Sequence, residues 1–176
     1  MEHSSINYDI VYNNYTRQIK SMKVGHIGRT GIKKIAKPVL LLALIKGIES
    51  GVFTVNRIEY EAIAEIYESV FKQYADMAKQ SEYTPPFHPF YHLHTSRFWH
   101  LNPLTPHAAV STSSASAAWL HNNVDCAYID QSLWNLLQQK DYRRRLAEFI
   151  VENNIKNATA SSTGILRMFL NWLVAI

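Results

Sequence analysis

At 176 residues the chain suits one domain with one core, and a hydrophobic share of 47% gives it an interior that a disordered polypeptide lacks. The single cysteine, Cys126, excludes an internal disulfide and a thiolate zinc cluster, and fits a reducing, cytoplasmic setting. Net charge is only +4, but its distribution is lopsided. No acid lies between Asp9 and Glu49, an interval in which Arg17, Lys20, Lys23, Arg29, Lys33, Lys34, Lys37 and Lys46 stand unopposed. The next stretch reverses the sign with Glu49, Glu59, Glu61, Glu65, Glu68, Asp76 and Glu82, and Arg143-Arg144-Arg145 forms a late second cluster. Such segregation points to a polyanion as partner of the basic part.

In chain order, Met1 to Ser5 lacks the apolar region of a secretion signal. Residues 8–22 have the spacing of an amphipathic helix, with Ile10, Val11, Tyr15, Ile19 and Met22 as its apolar positions. Gly25, Gly28 and Gly31 make 23–34 a flexible basic loop. No strand precedes it and no Gly-Lys-Ser/Thr triplet occurs, so it is neither a dinucleotide fingerprint nor a phosphate loop. Pro38 suits the first turn of a helix whose body, 39–48, is apolar all round and therefore buried, with Gly51 as its stop. Its apolar run, Val39 to Ile45, is far too short to cross a bilayer.

Arg57 to Lys79 predicts a further helix, apolar on one side and acidic on the other. Glu82 to Pro89, with three prolines, reads as an extended linker. Phe90 to His94 and Arg97 to Leu101, joined by Thr95-Ser96, read as an aromatic β-hairpin. A Pro/Ser/Thr-rich loop covers 102–116 and a helix 115–122. Asp130 is placed as N-cap for 133–139, and Asp141 for 142–154. A polar linker over 157–163 leads to an apolar helix over 165–176, a surface suited to oligomerisation. The expectation is a mainly α fold: a single helical domain, residues 1–156, with a small β-hairpin or sheet, followed by the linker and C-terminal helix of 157–176.

For chemistry, the histidines draw the eye: His88, His92, His94, His100 and His107 fall close together. His92 and His94 would share a strand face, yet no Cys, Asp or Glu lies between Glu82 and Asp125 to complete a metal site. These imidazoles therefore read as packing or hydrogen-bonding groups, with no metal or other cofactor implied. No Gly-x-Ser-x-Gly, His-Glu-x-x-His or clustered nuclease acids occur, and Cys126 sits in a core-like context. The basic loop is better supported. Its glycine amides, with Arg29, Lys33, Lys34, Lys37 and the positive end of the Pro38 helix, can approach phosphates.

Three segments, in this order, resemble a known family. They are Ala36-Lys37-Pro38-Val39-Leu40-Leu41-Leu42; Pro89-Phe90-Tyr91-His92-Leu93 with Phe98-Trp99-His100-Leu101; and Val124-Asp125 leading to Ala127-Tyr128-Ile129-Asp130 and Leu133-Trp134. Over about residues 10–154 the chain resembles the N-terminal DNA-binding region of HNH-type restriction endonucleases, related to the sulfur-binding domain of phosphorothioation-dependent restriction enzymes. The resemblance implies a non-catalytic helical module of a bacterial defence system that docks on double-stranded DNA and takes a backbone phosphorothioate in a shallow pocket. It places His88, Pro89 and His92 where the family has a Tyr-Pro pair and a small residue, and Ala36 where it has a histidine. Arg29, Lys33 and Lys34 fall where it supplies phosphate-binding groups. With Lys37 gripping phosphate and Arg97 on the reading edge, the expected DNA-binding set is Arg29, Lys33, Lys34, Lys37, His88, Pro89, His92 and Arg97. The rival readings are a metal-dependent nuclease built on the histidines and a non-catalytic oligomerising subunit working through its C-terminal helix.

Overall fold

The computed structural model describes residues 7–108, 111–113 and 115–159 of the chain. Helix α1 (Tyr8–Lys20) opens on Asn7, whose side chain accepts from the backbone amides of Asp9 and Ile10, so the first exposed donors are satisfied. It buries Tyr15, Thr16 and Ile19. Helix α2 (Ala36–Glu49) holds Pro38 in its first turn and has every residue from Val39 to Ile45 in the core, as a helix apolar all round must. Gly51 ends it at a φ of +76°. Gly47 serves packing instead: a Cβ there would lie 2.4 Å from Phe53 Cε2.

Helix α3 (Tyr60–Ala75) packs along α2, turning Ile63, Tyr67, Val70 and Phe71 inward and its glutamates outward. It is shorter than the periodicity over 57–79 predicts. Ile58 is drawn instead into a backbone bridge with Ala127, two reciprocal bonds of 2.8 Å, and at the far end Lys79 turns to a φ of 50°.

The aromatic segment corrects the hairpin expected over 90–101. Residues Phe87–His92 form helix α4, followed by a single 3-10 turn, Leu93–Thr95. The extended linker thus ends at Pro86, the N-cap of α4, and Pro89 lies inside the helix. Burial decides this: Phe90, Tyr91 and Leu93 are all in the core while His92 and His94 are exposed. Phe90 is held edge-on between Tyr60 and Trp99, and the Trp99 indole donates to the Phe90 carbonyl at 3.0 Å. The second half of the expected hairpin is a strand, β1 (Trp99–Pro103), with a distant partner. It pairs antiparallel with β2 (Val124–Ile129), Trp99 opposite Ile129 and Leu101 opposite Ala127. Helix α5 (Ala117–Asn123) leads into β2.

Helices α6 (Gln131–Gln138) and α7 (Lys140–Ile150) follow, then a π turn, Val151–Ile155, and a 3-10 turn, Lys156–Thr159. Asp130 holds the N-cap position of α6 but its carboxylate does not cap; it accepts from Tyr15 Oη at 2.9 Å and bonds His100 Nε2 at 2.7 Å. Gln139, rather than Asp141, occupies the N-cap position of α7, without a side-chain capping bond, leaving Asp141 in the first turn. Ala158 is buried and its carbonyl accepts from Lys33 N, so the body extends at least this far. The apolar helix expected over 165–176, with its oligomerisation surface, lies outside the described residues. The described chain is mainly α with one two-stranded sheet, around a core centred on α2. None of its described helices is long and apolar enough to cross a membrane.

Candidate nucleic-acid interface

Three pieces converge at the start of α2: the segment 22–35, the helix itself and α4. The first is more ordered than its glycines imply. His26 and Lys33 form an antiparallel bridge, Ile27 N donates to Ile32 O at 2.9 Å and Lys34 N to Gly25 O at 2.8 Å, which makes a short finger. Its tip needs Gly28 and Gly31, with φ of 48° and 74°. Its base is tied down by the buried Gln80, whose amide donates to Lys33 O at 3.2 Å and accepts from Ile35 N at 3.3 Å.

Between finger and α4 lies a pocket of about 410 Å³. One part of its wall is cationic: Lys23, Lys34 and Lys37. Another is uncharged and small: Val24, Gly25, Ala36 and Pro89. The rest is Thr84, His88 and His92. The first turn of α2, which supplies Ala36 and Lys37, has no side-chain cap and no acid, so its positive end faces the hollow without a competing anion. Lys37 is half-buried, and its ammonium donates to Lys23 O at 3.0 Å and Thr95 Oγ1 at 3.2 Å. It therefore ties the finger to the end of α4, and burial lowers its pKa.

The imidazoles of His88 and His92, one helical turn apart, lie nearly parallel at 9° with centroids 6.2 Å apart. Partial burial lowers the pKa of both; Lys34 adds to this at His88, and Lys37, His88 and His94 add to it at His92. Both rings are therefore neutral at neutral pH and extend the uncharged wall beside Pro89.

Of the residues expected from the sequence, the fold gathers Lys34, Lys37, His88, Pro89 and His92 around this pocket. Arg29 is exposed on the tip of the finger. Lys33 lines a small hollow beside Asn153 and Asn154 on the finger's other flank. Arg97 lines an adjoining groove. Lys23, Val24, Gly25 and Thr84 were not in the expected set. Lys23 was detectable as a member of the acid-free run; Thr84, inside a Pro-rich segment, carried no signal.

The other histidines disperse. His94 Nδ1 bonds the Tyr91 carbonyl at 2.6 Å, and His100 pairs with Asp130 and stacks on Tyr128. Among the described residues no group of three or more His, Cys, Asp or Glu side chains is placed to hold a metal ion. Cys126 is buried with Arg57 Nη1 at 3.5 Å, and burial pushes its thiol pKa up, the opposite of what an activated nucleophile needs.

Charge pairing is uneven along the chain, and cations without a carboxylate among the described residues, Lys46, Lys79, Lys140 and Arg143 included, are not confined to this face. Arg57, Lys72, Arg144, Arg145 and Lys156 each meet a carboxylate. Lys20, Lys23, Arg29, Lys33, Lys34 and Arg97 meet none among the described residues.

The family model described as ScoMcrA-like, DNA sulfur-binding domain matches residues 13–167. The chain belongs to this family. A solved structure, the sulfur-binding domain of SprMcrA complexed with phosphorothioated DNA, superposes with a TM-score of 0.61 at 15% identity, covering 84% of this chain and 88% of that one. At that identity the likeness concerns the fold. No curated protein matches the chain. In this chain the pocket wall carries the imidazoles of His88 and His92 beside Pro89.

Proposed function

We propose that the chain is a DNA-recognition module whose pocket takes a phosphorothioate linkage of duplex DNA. The observation that carries this reading is the juxtaposition in one pocket of unpaired ammonium groups, Lys23 and Lys34, with an uncharged wall of Val24, Pro89, His88 and His92. A phosphorothioate keeps the charge of a phosphate but replaces one non-bridging oxygen with sulfur, which is larger, softer and less hydrated. The lysines and the open end of α2 supply the attraction for any backbone phosphate, and that attraction weakens with salt. The uncharged wall supplies the choice: desolvating an oxygen against it costs more than desolvating a sulfur. Neutral imidazoles suit this task because a charged ring would attract both ligands alike.

The module carries no catalysis of its own in this reading. Cleavage belongs to another segment or chain of a bacterial restriction or defence system in the cytoplasm. The test is binding of matched duplexes, with and without one backbone sulfur, at two salt concentrations. Tighter binding of the sulfur duplex is expected, with both affinities falling as salt rises. Equal affinity for the two duplexes refutes sulfur recognition, and affinity indifferent to salt refutes the DNA interface.

A further inference from the structure

Beyond Lys37 lies a second and larger hollow, about 680 Å³, walled by Asn14 and Gln18 of α1 and its C-cap Ser21 on one side and Thr95, Ser96 and Arg97 on the other. It adjoins the proposed sulfur pocket. Lys23 lines both, and Thr95, in the second, holds the Lys37 ammonium that lines the first. Lys37 is thus a septum within one groove. Two sizeable hollows adjoin the pocket, the one beside Lys33 being only about 30 Å³. On the far side a hollow of about 360 Å³ is lined by Lys34 and His26 but also by Glu82, whose carboxylate opposes a phosphate there. The groove beside α1 has no carboxylate in its lining and does have Arg97, whose guanidinium meets no acid among the described residues.

Asn14, Gln18 and Ser21 recur at the spacing that puts them along one helix face. The side-chain amides of Asn14 and Gln18 have no hydrogen-bond partner among the described residues, whereas those of Asn56 and Gln80 are consumed by the fold. The helix that presents them is fixed. Tyr15 Oη bonds both Asp130 and Ser132, at 2.9 and 2.6 Å, and Asn154 holds the Ile19 carbonyl at 3.2 Å. Free donor–acceptor groups on a rigid rib, beside a path for a phosphodiester, are a base-reading device.

We infer that this groove receives the nucleotides flanking the gripped linkage, that Asn14 and Gln18 read a base edge there, and that Arg97 holds the next phosphate. This rests on the DNA-recognition reading above. An amide offers one donor and one acceptor side by side, the complement of adenine N6 and N7, so the preferred flank contains adenine. The experiment measures affinities for phosphorothioate duplexes in which each position flanking the sulfur is varied through four bases, with oxygen controls, for the wild type and for N14A/Q18A. Alanine is the best helix former and neither amide has a partner among the described residues, so the variant folds. The expected result is an adenine preference of about tenfold at one flanking position. In the variant it flattens towards unity while the ratio of sulfur to oxygen affinity is retained. A wild type that discriminates sulfur but shows no flanking preference, or a preference unchanged in N14A/Q18A, overturns this inference and leaves the sulfur pocket standing. A wild type that binds none of the duplexes overturns both.

Discussion

Two cationic clusters of this chain look alike in sequence and behave as opposites in the fold. Arg143, Arg144 and Arg145 are consumed internally: Arg143 Nη1 donates to Leu137 O at 2.8 Å, Arg144 lies between Asp141 and Glu148, and Arg145 pairs with Asp9 and covers the rings of Tyr12 and Tyr142 at 4.5 and 4.9 Å. Lys23, Lys33 and Lys34 have no such partners among the described residues. The difference is one of neighbours. Arg144 has acids three and four positions away on its own helix, the spacing at which side chains meet, while α1 brings Asp9 to Arg145 and a backbone carbonyl takes Arg143. The lysines sit on a finger drawn from an interval with no acid at all. Density of positive charge is therefore a poor guide to a polyanion site, and absence of local counter-charge a better one.

The sharpest way to break this contrast is charge reversal on each side. Lys34→Glu should lower affinity for duplex DNA by about 100-fold, since a charge-assisted contact is worth about 1.5–3 kcal/mol and the reversal adds repulsion. Arg144→Glu should change it less than about twofold. Fluorescence anisotropy at one fixed salt concentration measures both, and comparable losses would erase the distinction between the clusters. Lys37→Met keeps the aliphatic stem but unties Lys23 O from Thr95; about tenfold weaker binding is expected, with a smaller sulfur preference as the walls part.

Acidity gives a smaller effect of definite sign. His88 and His92 are neutral at neutral pH because their pKa values are lowered. As pH falls from about 7.5 to about 5 they gain protons. A bound anion favours the charged form, so affinity should rise for both duplexes while the ratio between sulfur and oxygen narrows; titrations at several pH values read this. A ratio independent of pH would remove the imidazoles from the selecting wall. Least visible to DNA is Arg145→Ala: a lower Tm in thermal unfolding, from loss of its ring and Asp9 contacts, with unchanged affinity.

What the sequence revealed and concealed follows the same logic of neighbours. Helices α1 and α3 were legible because each spans several turns and its burial period repeats, and α2 because Pro38 opens an unbroken apolar run. The segment 90–94 was not. Over five residues, aromatics in positions that alternate and aromatics that follow a helical turn are nearly indistinguishable, and burial of Phe90 against Tyr60 and Trp99 decides between them. Strand β2 went unseen because its partner, β1, lies across a long loop and a helix. Asp130 was correctly placed before α6, yet its carboxylate answers to Tyr15 and His100, both distant in sequence. In the site, the lysines and the His88-Pro89 pair were readable from charge and from the family pattern. The groove that Asn14 and Gln18 border was not, since two polar helix residues carry no mark until the fold brings Thr95 and Arg97 opposite them.

The finger's uncompensated lysines also bear on the unbound protein. Lys23, Lys33 and Lys34, with Lys20 at the end of α1, repel one another wherever no counter-ion intervenes. Dissolved electrolyte should therefore pull the molecule in two directions, shielding that repulsion and raising the melting temperature of the free protein while eroding its grip on nucleic acid. A domain that is most comfortable alone in brine and most tightly engaged in dilute buffer holds part of its binding energy as relief from its own crowding.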